Sequence, residues 1–236
     1  MDLKSSNSII LLSSGLDSAV SLAWVHSEGH EIDCAITFDY GQRAKEKEIK
    51  HAKEICTFYG IPHEVVSLPW FSQFEARGLL SKTSLLSQPT LTTLNDLKES
   101  TKSAEMVWVP NRNGVFIEVA ASISESRKIN RLIVGFNAEE AVTFPDNSLA
   151  YMNAMNKALS YSTANQVKLE SPTVNMTKNE IVALGSSLVF PFHLLWSCYE
   201  AKEQMCGTCE SCMRLKRALH QNGKPLDGLF INSTLN

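Results

Sequence analysis

No stretch of this 236-residue chain holds the ~20 consecutive apolar residues that a membrane helix needs. There is no excess of positive charge either: 22 basic against 25 acidic side chains leave a formal net charge of −3. A protein that holds nucleic acid through bulk charge is therefore not expected. The opening residues, MDLKSSNS, lack the charged-then-apolar layout of a secretion signal. No internal repeat is visible. Two common nucleotide signatures are also missing: the Gly-Lys-Ser/Thr ending of a Walker A loop, and GxGxxG. What is there is an ordinary globular composition, 44% hydrophobic and 20% charged, ample for a large core. A cytoplasmic enzyme is the expected class.

Strand-like and helix-like patterns alternate along the chain. Apolar runs predict strands at 9–12, 32–38, 63–68 and 131–136, with a shorter one near 167–170. Helical spacing predicts helices at 18–28, 42–59, 113–128, 147–160 and 177–187. Gly29 and Gly60 follow two of these helices, where a left-handed residue costs glycine little. Thr177 and Glu180 fit a capping box. The fold class is α/β, a mostly parallel sheet with helices on both faces. Residues 69–106 read as one long structureless stretch, a lid or a flexible insertion. A division into 1–190, an α/β nucleotide-binding domain, and 191–236, a metal-binding C-terminal region packed on it, is expected.

Residues 8–26 read SIILLSSGLDSAVSLAWVH. An apolar strand turns into an apolar helix through a short polar turn. Ligands of open α/β sheets sit beyond the carboxyl ends of strands, and helix N-terminal amides attract anions. Small residues let the backbone approach a phosphate, and Ser13, Ser14 and Ser18 offer hydroxyl donors. Asp17 repels phosphate, so it either caps the helix or holds Mg²⁺ against the phosphates. A capped turn with no ligand is the competing reading.

The cysteines give the sharpest local signal. Cys198, Cys206, Cys209 and Cys212 stand in the spacing C-x7-C-x2-C-x2-C, which matches a tetrahedral Cys₄ site with Zn²⁺ as its usual occupant. The C-x2-C-x2-C run also resembles a bacterial ferredoxin, but Lys216 and Arg217 stand where that pattern continues with Cys-Pro, which favours zinc. Cys34 and Cys56 read as core thiols. The basic run Arg214, Lys216, Arg217 reads as a solvated helix face or a steering patch for polyphosphate.

The SSGLDS turn resembles the SGGxDS loop of the PP-loop ATP pyrophosphatases, with Ser14 where that superfamily usually has its first glycine. A glycine takes positive φ freely and a serine does not. Together with FDYGQR at 38–43, VPNRN at 109–113, GFNAEE at 135–140, FPDNS at 144–148, TKNEI at 177–181, WSCY at 196–199 and CGTCESC, the chain is similar to the 7-cyano-7-deazaguanine synthase (QueC) family over almost its whole length. Asn147 and Ser148 replace the Cys and Arg of that family's common Tyr-Pro-Asp-Cys-Arg motif.

The resemblance implies an ATP-dependent carbon–nitrogen ligase acting on 7-carboxy-7-deazaguanine, with ammonia as the amine, and a homodimer without nucleic-acid or membrane partners. Leu12, Ser13, Ser14, Gly15, Leu16, Asp17, Ser18 and Ala19 would form the ATP loop. Asp17, Ser18 and Arg112 would act in catalysis. Tyr40, Gln42, Arg112, Asn113, Glu139 and Asp146 would contact the substrate. One of Glu139 and Glu140 would contact the base or Mg²⁺, and Asp146 would bond the guanine-like edge. Blander readings compete: Tyr40 as a core aromatic, Arg112 in a surface ion pair, Glu139 and Glu140 on a solvated face, Asp146 as the cap of the 147–160 helix, and Trp196 as core rather than a stacking platform. An acyl ligase acting on another amine, such as a protein N-terminus, is the first alternative. A tRNA-modifying PP-loop enzyme and a non-catalytic nucleotide or zinc module are the others.

Overall fold

The computed structural model describes residues 7–74, 78–81 and 83–235; residues 75–77 and 82 of the 69–106 segment lie outside it. Five strands form a single parallel sheet: β1 (Ser8–Leu11), β2 (Ile32–Asp39), β3 (His63–Ser67), β4 (Arg131–Ile133) and β5 (Lys168–Glu170), in the order β3-β2-β1-β4-β5. The strand order reverses direction at β1, which leaves a crevice beyond the carboxyl ends of β1, β2 and β4, where open α/β sheets bind ligands. Helices α1 (Leu16–Ser27), α2 (Lys45–Tyr59), α3 (Leu97–Val107), α4 (Arg112–Ser126), α5 (Leu149–Ser162), α6 (Lys178–Ser187) and α7 (Glu210–Gln221) flank the sheet, with short 3₁₀ turns between them.

Alternation along β1 sends neighbouring side chains to opposite faces. Ile10 packs into a core with Val20 of α1, Ile181 of α6 and Leu215 of α7, and the four cysteines belong to this core. Ile9 packs on the other face with Ile117 of α4 and Leu159 of α5. Both faces of the sheet are buried, which is why its strands read as continuous apolar runs.

The expected strands and helices all form, with ends shifted by a few residues. Strand β4 ends at Ile133 rather than 136. Past Val134 the backbone turns to side-chain partners, as Phe136 N–H donates to Ser171 Oγ at 3.0 Å. Gly60 closes α2 at φ 68°, and the capping box of Thr177 and Glu180 is complete. Three readings are corrected. The 69–106 segment is not structureless, since it contains α3, opened by Asp96, whose carboxylate accepts Glu99 N–H at 3.0 Å. The cap of α5 is Ser148, which accepts Tyr151 N–H at 3.1 Å, not Asp146. The cap of α1 is Gly15, so Asp17 stands inside the first turn and caps nothing.

Candidate active site

The loop after β1 is held by its own serines. Ser13 N–H donates to Ser18 Oγ at 3.2 Å, and Ser18 Oγ donates to Gly15 O at 3.3 Å. Ser14 takes φ 61°, the left-handed backbone that glycine would adopt without cost. Its hydroxyl donates to Ser13 O at 2.6 Å and its carbonyl accepts Trp196 N–H at 3.0 Å. The Ser14 side chain is therefore turned into the protein. The first turn of α1 abuts Gly135 just past β4. A Cβ at Gly135 would stand 2.3 Å from Ser18 N, so only glycine lets the strand end lie this close to the loop.

A cavity of about 260 Å³ opens at this edge of the sheet. It is lined by Leu12, Ser13, Gly15, Leu16, Asp17 and Ser18 from the loop, and by Tyr40, Arg112 and Asn113 across from it. Ser14, Ala19, Gln42, Glu139 and Asp146 do not line it. Ser14, Ala19 and Gln42 are buried. Gln42 uses its whole amide: its oxygen accepts Tyr40 N–H at 3.0 Å, and its nitrogen donates to Phe38 O and to Glu48 Oε2, each at 2.9 Å. Glu139 accepts Lys178 N–H at 2.9 Å and pairs with Arg214 at 3.3 Å and Arg217 at 2.5 Å. Asp146 lies beside Arg112, with one carboxylate oxygen buried and unpartnered.

The charges at the loop end centre on Lys178, the first residue of α6. Its ammonium reaches Asp17 Oδ2 at 2.5 Å and Glu140 Oε1 at 2.6 Å. Burial raises the Asp17 carboxyl to about 6, even with Lys178 pulling the other way. Burial works against the charge on Glu140 as well, but Lys178 and its hydrogen bond, with Arg214 and Arg112 beyond, leave its carboxyl below the ordinary value. Burial likewise opposes the Lys178 charge, and the two carboxylates outweigh it, holding the ammonium above its usual value. Asp17 Oδ1 remains buried without a partner. An orphaned carboxylate oxygen beside an anion-binding helix end suits a divalent cation. Lys178 was absent from the sequence-derived site residues, and Glu140 was weighed only as the alternative to Glu139 for contacting the base or Mg²⁺.

At the far end the wall is aromatic. Phe38 stacks on Phe116 with centroids 4.4 Å apart, and Tyr40 meets Phe116 edge-on at 5.2 Å. Tyr40 is thus core and cavity wall at once; burial pushes its phenol up to about 12, so it stays a hydrogen-bond donor. Arg112 opens α4, donates to the Tyr40 hydroxyl at 3.4 Å and makes no ion pair among the described residues. Burial disfavours its charge, but Tyr40, Asp146 and Glu48 hold the guanidinium above its usual value. The surface ion pair considered for it does not form.

The four cysteines lie next to the loop, on the segment that follows Trp196. Their sulfurs are all buried and within 4.8 Å of one another. Cys206 Sγ and Cys212 Sγ are 3.8 Å apart, close to the edge of a tetrahedron with bonds of about 2.3 Å. Backbone N–H groups of Glu200 and Cys206 point at Cys198 Sγ at 3.3 Å, and those of Thr208 and Cys209 at Cys206 Sγ at 3.4 and 3.3 Å. Four convergent sulfurs with amides directed at them form a site for a thiophilic metal. Cys34 and Cys56 lie apart, buried in the core.

The basic run of α7 is not a solvated face. Arg214 and Lys216 are 9% and 0% exposed. Arg214 pairs with Glu210 at 2.7 Å and reaches Leu94 O at 3.2 Å, while Lys216 donates to the carbonyls of Gly207, Asn232 and Thr234 at 2.5–3.0 Å. Glu210 also accepts from Ser103 of α3. Helix α7, which carries Cys212, thereby holds part of the 69–106 segment, and Leu79 of that segment and Val107 at the end of α3 line the cavity.

The five-stranded parallel sheet, with its polar loop and flanking helices, defines an α/β protein of Rossmann-like architecture. A family model described as queuosine biosynthesis protein QueC matches residues 7–223, and the chain belongs to that family. The 7-cyano-7-deazaguanine synthase of Desulforamulus reducens is 46% identical over 95% of this chain and 98% of its own length. That of Carboxydothermus hydrogenoformans is 49% identical over 89% and 96%. Among solved structures, the U34-tRNA thiolase NcsA from Methanococcus maripaludis with its [4Fe-4S] cluster matches with a TM-score of 0.50 at 17% identity, covering 92% of this chain and 67% of the other, a likeness of fold. Among the described residues no helix is long and apolar enough to cross a membrane.

Proposed function

We propose that the chain is a 7-cyano-7-deazaguanine synthase that activates 7-carboxy-7-deazaguanine with ATP and takes ammonia as its amine. The observation that carries this reading is a single cavity joining the Ser13–Ser18 loop, Lys178 and Arg112 in a chain whose relatives bear that name. The loop and the N-terminus of α1 hold the triphosphate through hydroxyls and backbone N–H groups. Arg112 holds the substrate carboxylate by a charge-assisted bond. One carboxylate oxygen attacks the α-phosphorus, and the bond to the β-phosphate breaks with release of pyrophosphate. Ammonia attacks the resulting acyl-adenylate, and AMP leaves to give the amide. A second ATP adenylates the amide oxygen, and loss of AMP and of the remaining nitrogen-bound protons gives the nitrile. Lys178 offsets charge on the departing pyrophosphate.

Asp17 would hold Mg²⁺ through its unpartnered Oδ1, and that ion would supply further positive charge at the leaving group. Cys198, Cys206, Cys209 and Cys212 would hold Zn²⁺, which suits four sulfurs gathered closely enough for one ion. Asn147 lines the cavity beside Phe144, while Ser148 is occupied as the cap of α5. The reading is tested by supplying ATP, Mg²⁺, the acid and ammonium and following products by mass. Nitrile is expected. Amide alone would mean that the second activation is missing, and a mass gain on a protein with no ammonium product would favour the N-terminal ligase instead.

A further inference from the structure

The aromatic end of the cavity carries one more charged group, Glu48, in the first turn of α2. Its Oε2 is fixed by the Gln42 amide at 2.9 Å, and Gln42 is itself fixed by Tyr40 N–H and Phe38 O. The other oxygen of Glu48 has no hydrogen-bond partner among the described residues. Glu48 and Arg112 both line the cavity and feel each other's charge, yet they do not form an ion pair. The wall therefore presents an anion and a cation, both with open hydrogen-bonding capacity, beside the rings of Phe38, Tyr40 and Phe116.

We infer that Glu48 is a specificity-determining residue that accepts hydrogen bonds from the N1–H and 2-amino donors of the substrate's guanine-like edge. This rests on the function proposed above. A planar acid with a carboxylate at one end and paired donors at the other is the charge complement of Arg112 and Glu48. A carboxylate is acceptor-only when ionised, so it suits two adjacent donors. The adenine of ATP offers one donor beside an acceptor, and that acceptor repels the carboxylate. Asp146, a carboxylate expected from the sequence to contact the substrate, stands outside the cavity lining. Gln42 is the positioning residue that aims Glu48.

Calorimetry on the metal-replete protein tests the assignment with three ligands: ATP, the acid, and the same acid with its 2-amino group replaced by hydrogen. The wild-type chain is expected to bind the acid roughly 10–100-fold more tightly than the des-amino analogue. Glu48→Gln is expected to bring the two acids to within about 2-fold of each other while ATP affinity stays within about 2-fold. Equal wild-type affinity for both acids overturns the assignment without any variant. So does discrimination that persists in Glu48→Gln, or a variant that loses ATP and acid alike. Wild-type protein that binds ATP but neither acid would sink the proposed function itself.

Discussion

The loop at 13–18 and the cysteine centre at 198–212 are neighbours joined by the hydrogen bond from Trp196 N–H to Ser14 O, yet they are built in opposite ways. The loop region keeps polar capacity open: Asp17 Oδ1 has no partner, and two carboxylates, those of Asp17 and Glu140, share the Lys178 ammonium. The cysteine centre is closed. Its four sulfurs are buried, and two of them each accept two backbone N–H groups. Open capacity next to a cavity suits a ligand that arrives and leaves. Closed ligation suits a group that stays and holds the chain together. Damage to the loop should then cost turnover and spare the fold, whereas damage to the cysteine centre should cost the fold first.

The largest effect is expected at the cysteines. Cys209→Ser, or chelation of the wild-type protein, should release about one metal per chain and lower the thermal midpoint by more than roughly 10 °C. Metal analysis paired with a melting curve checks this. A chain that loses its metal and melts unchanged breaks the comparison. Asp17→Asn should come next and point the other way. Acid-dependent pyrophosphate release should fall by roughly 10²–10³, as for loss of one charge-stabilising group, while the melting curve holds.

Arg214→Ala probes the join between the two regions. Removing one partner of a buried pair leaves Glu210 uncompensated and frees Leu94 O. Hydrogen exchange should show α3 losing protection before the sheet does, and KM for the acid should rise about tenfold because Val107 lines the cavity. The smallest effect belongs to Ser14→Gly. Relief of positive φ is worth about 1 kcal/mol, and the lost hydroxyl bonds offset part of it. Activity should be retained, since the hydroxyl points into the protein. A hundredfold loss would make that hydroxyl a nucleotide ligand.

The parts legible in the sequence were those written in short spacings. The strand–turn–helix at 8–26, the capping box at Thr177 and the cysteine spacing each need fewer than twenty consecutive residues, and each formed as expected. Helix α3 was overlooked although Asp96 and Glu99 mark its start, because a polar stretch of Ser, Thr and Lys gives weak apolar periodicity. Lys178 was missed for a different reason. It meets Asp17 across 161 positions of sequence, and no local pattern encodes that encounter. The depth of Arg214 and Lys216 was hidden likewise, since carboxylates and carbonyls from distant segments make their burial tolerable.

The central claim is that the loop, Lys178 and Arg112 act together on one acid with ATP. Its most direct test is the nucleotide balance of the purified enzyme with ATP, Mg²⁺, ammonium and 7-carboxy-7-deazaguanine. The account predicts that AMP and pyrophosphate appear only when the acid is present, with about two of each for every nitrile formed. Release of ADP and phosphate, or pyrophosphate release that ignores the acid, would contradict it.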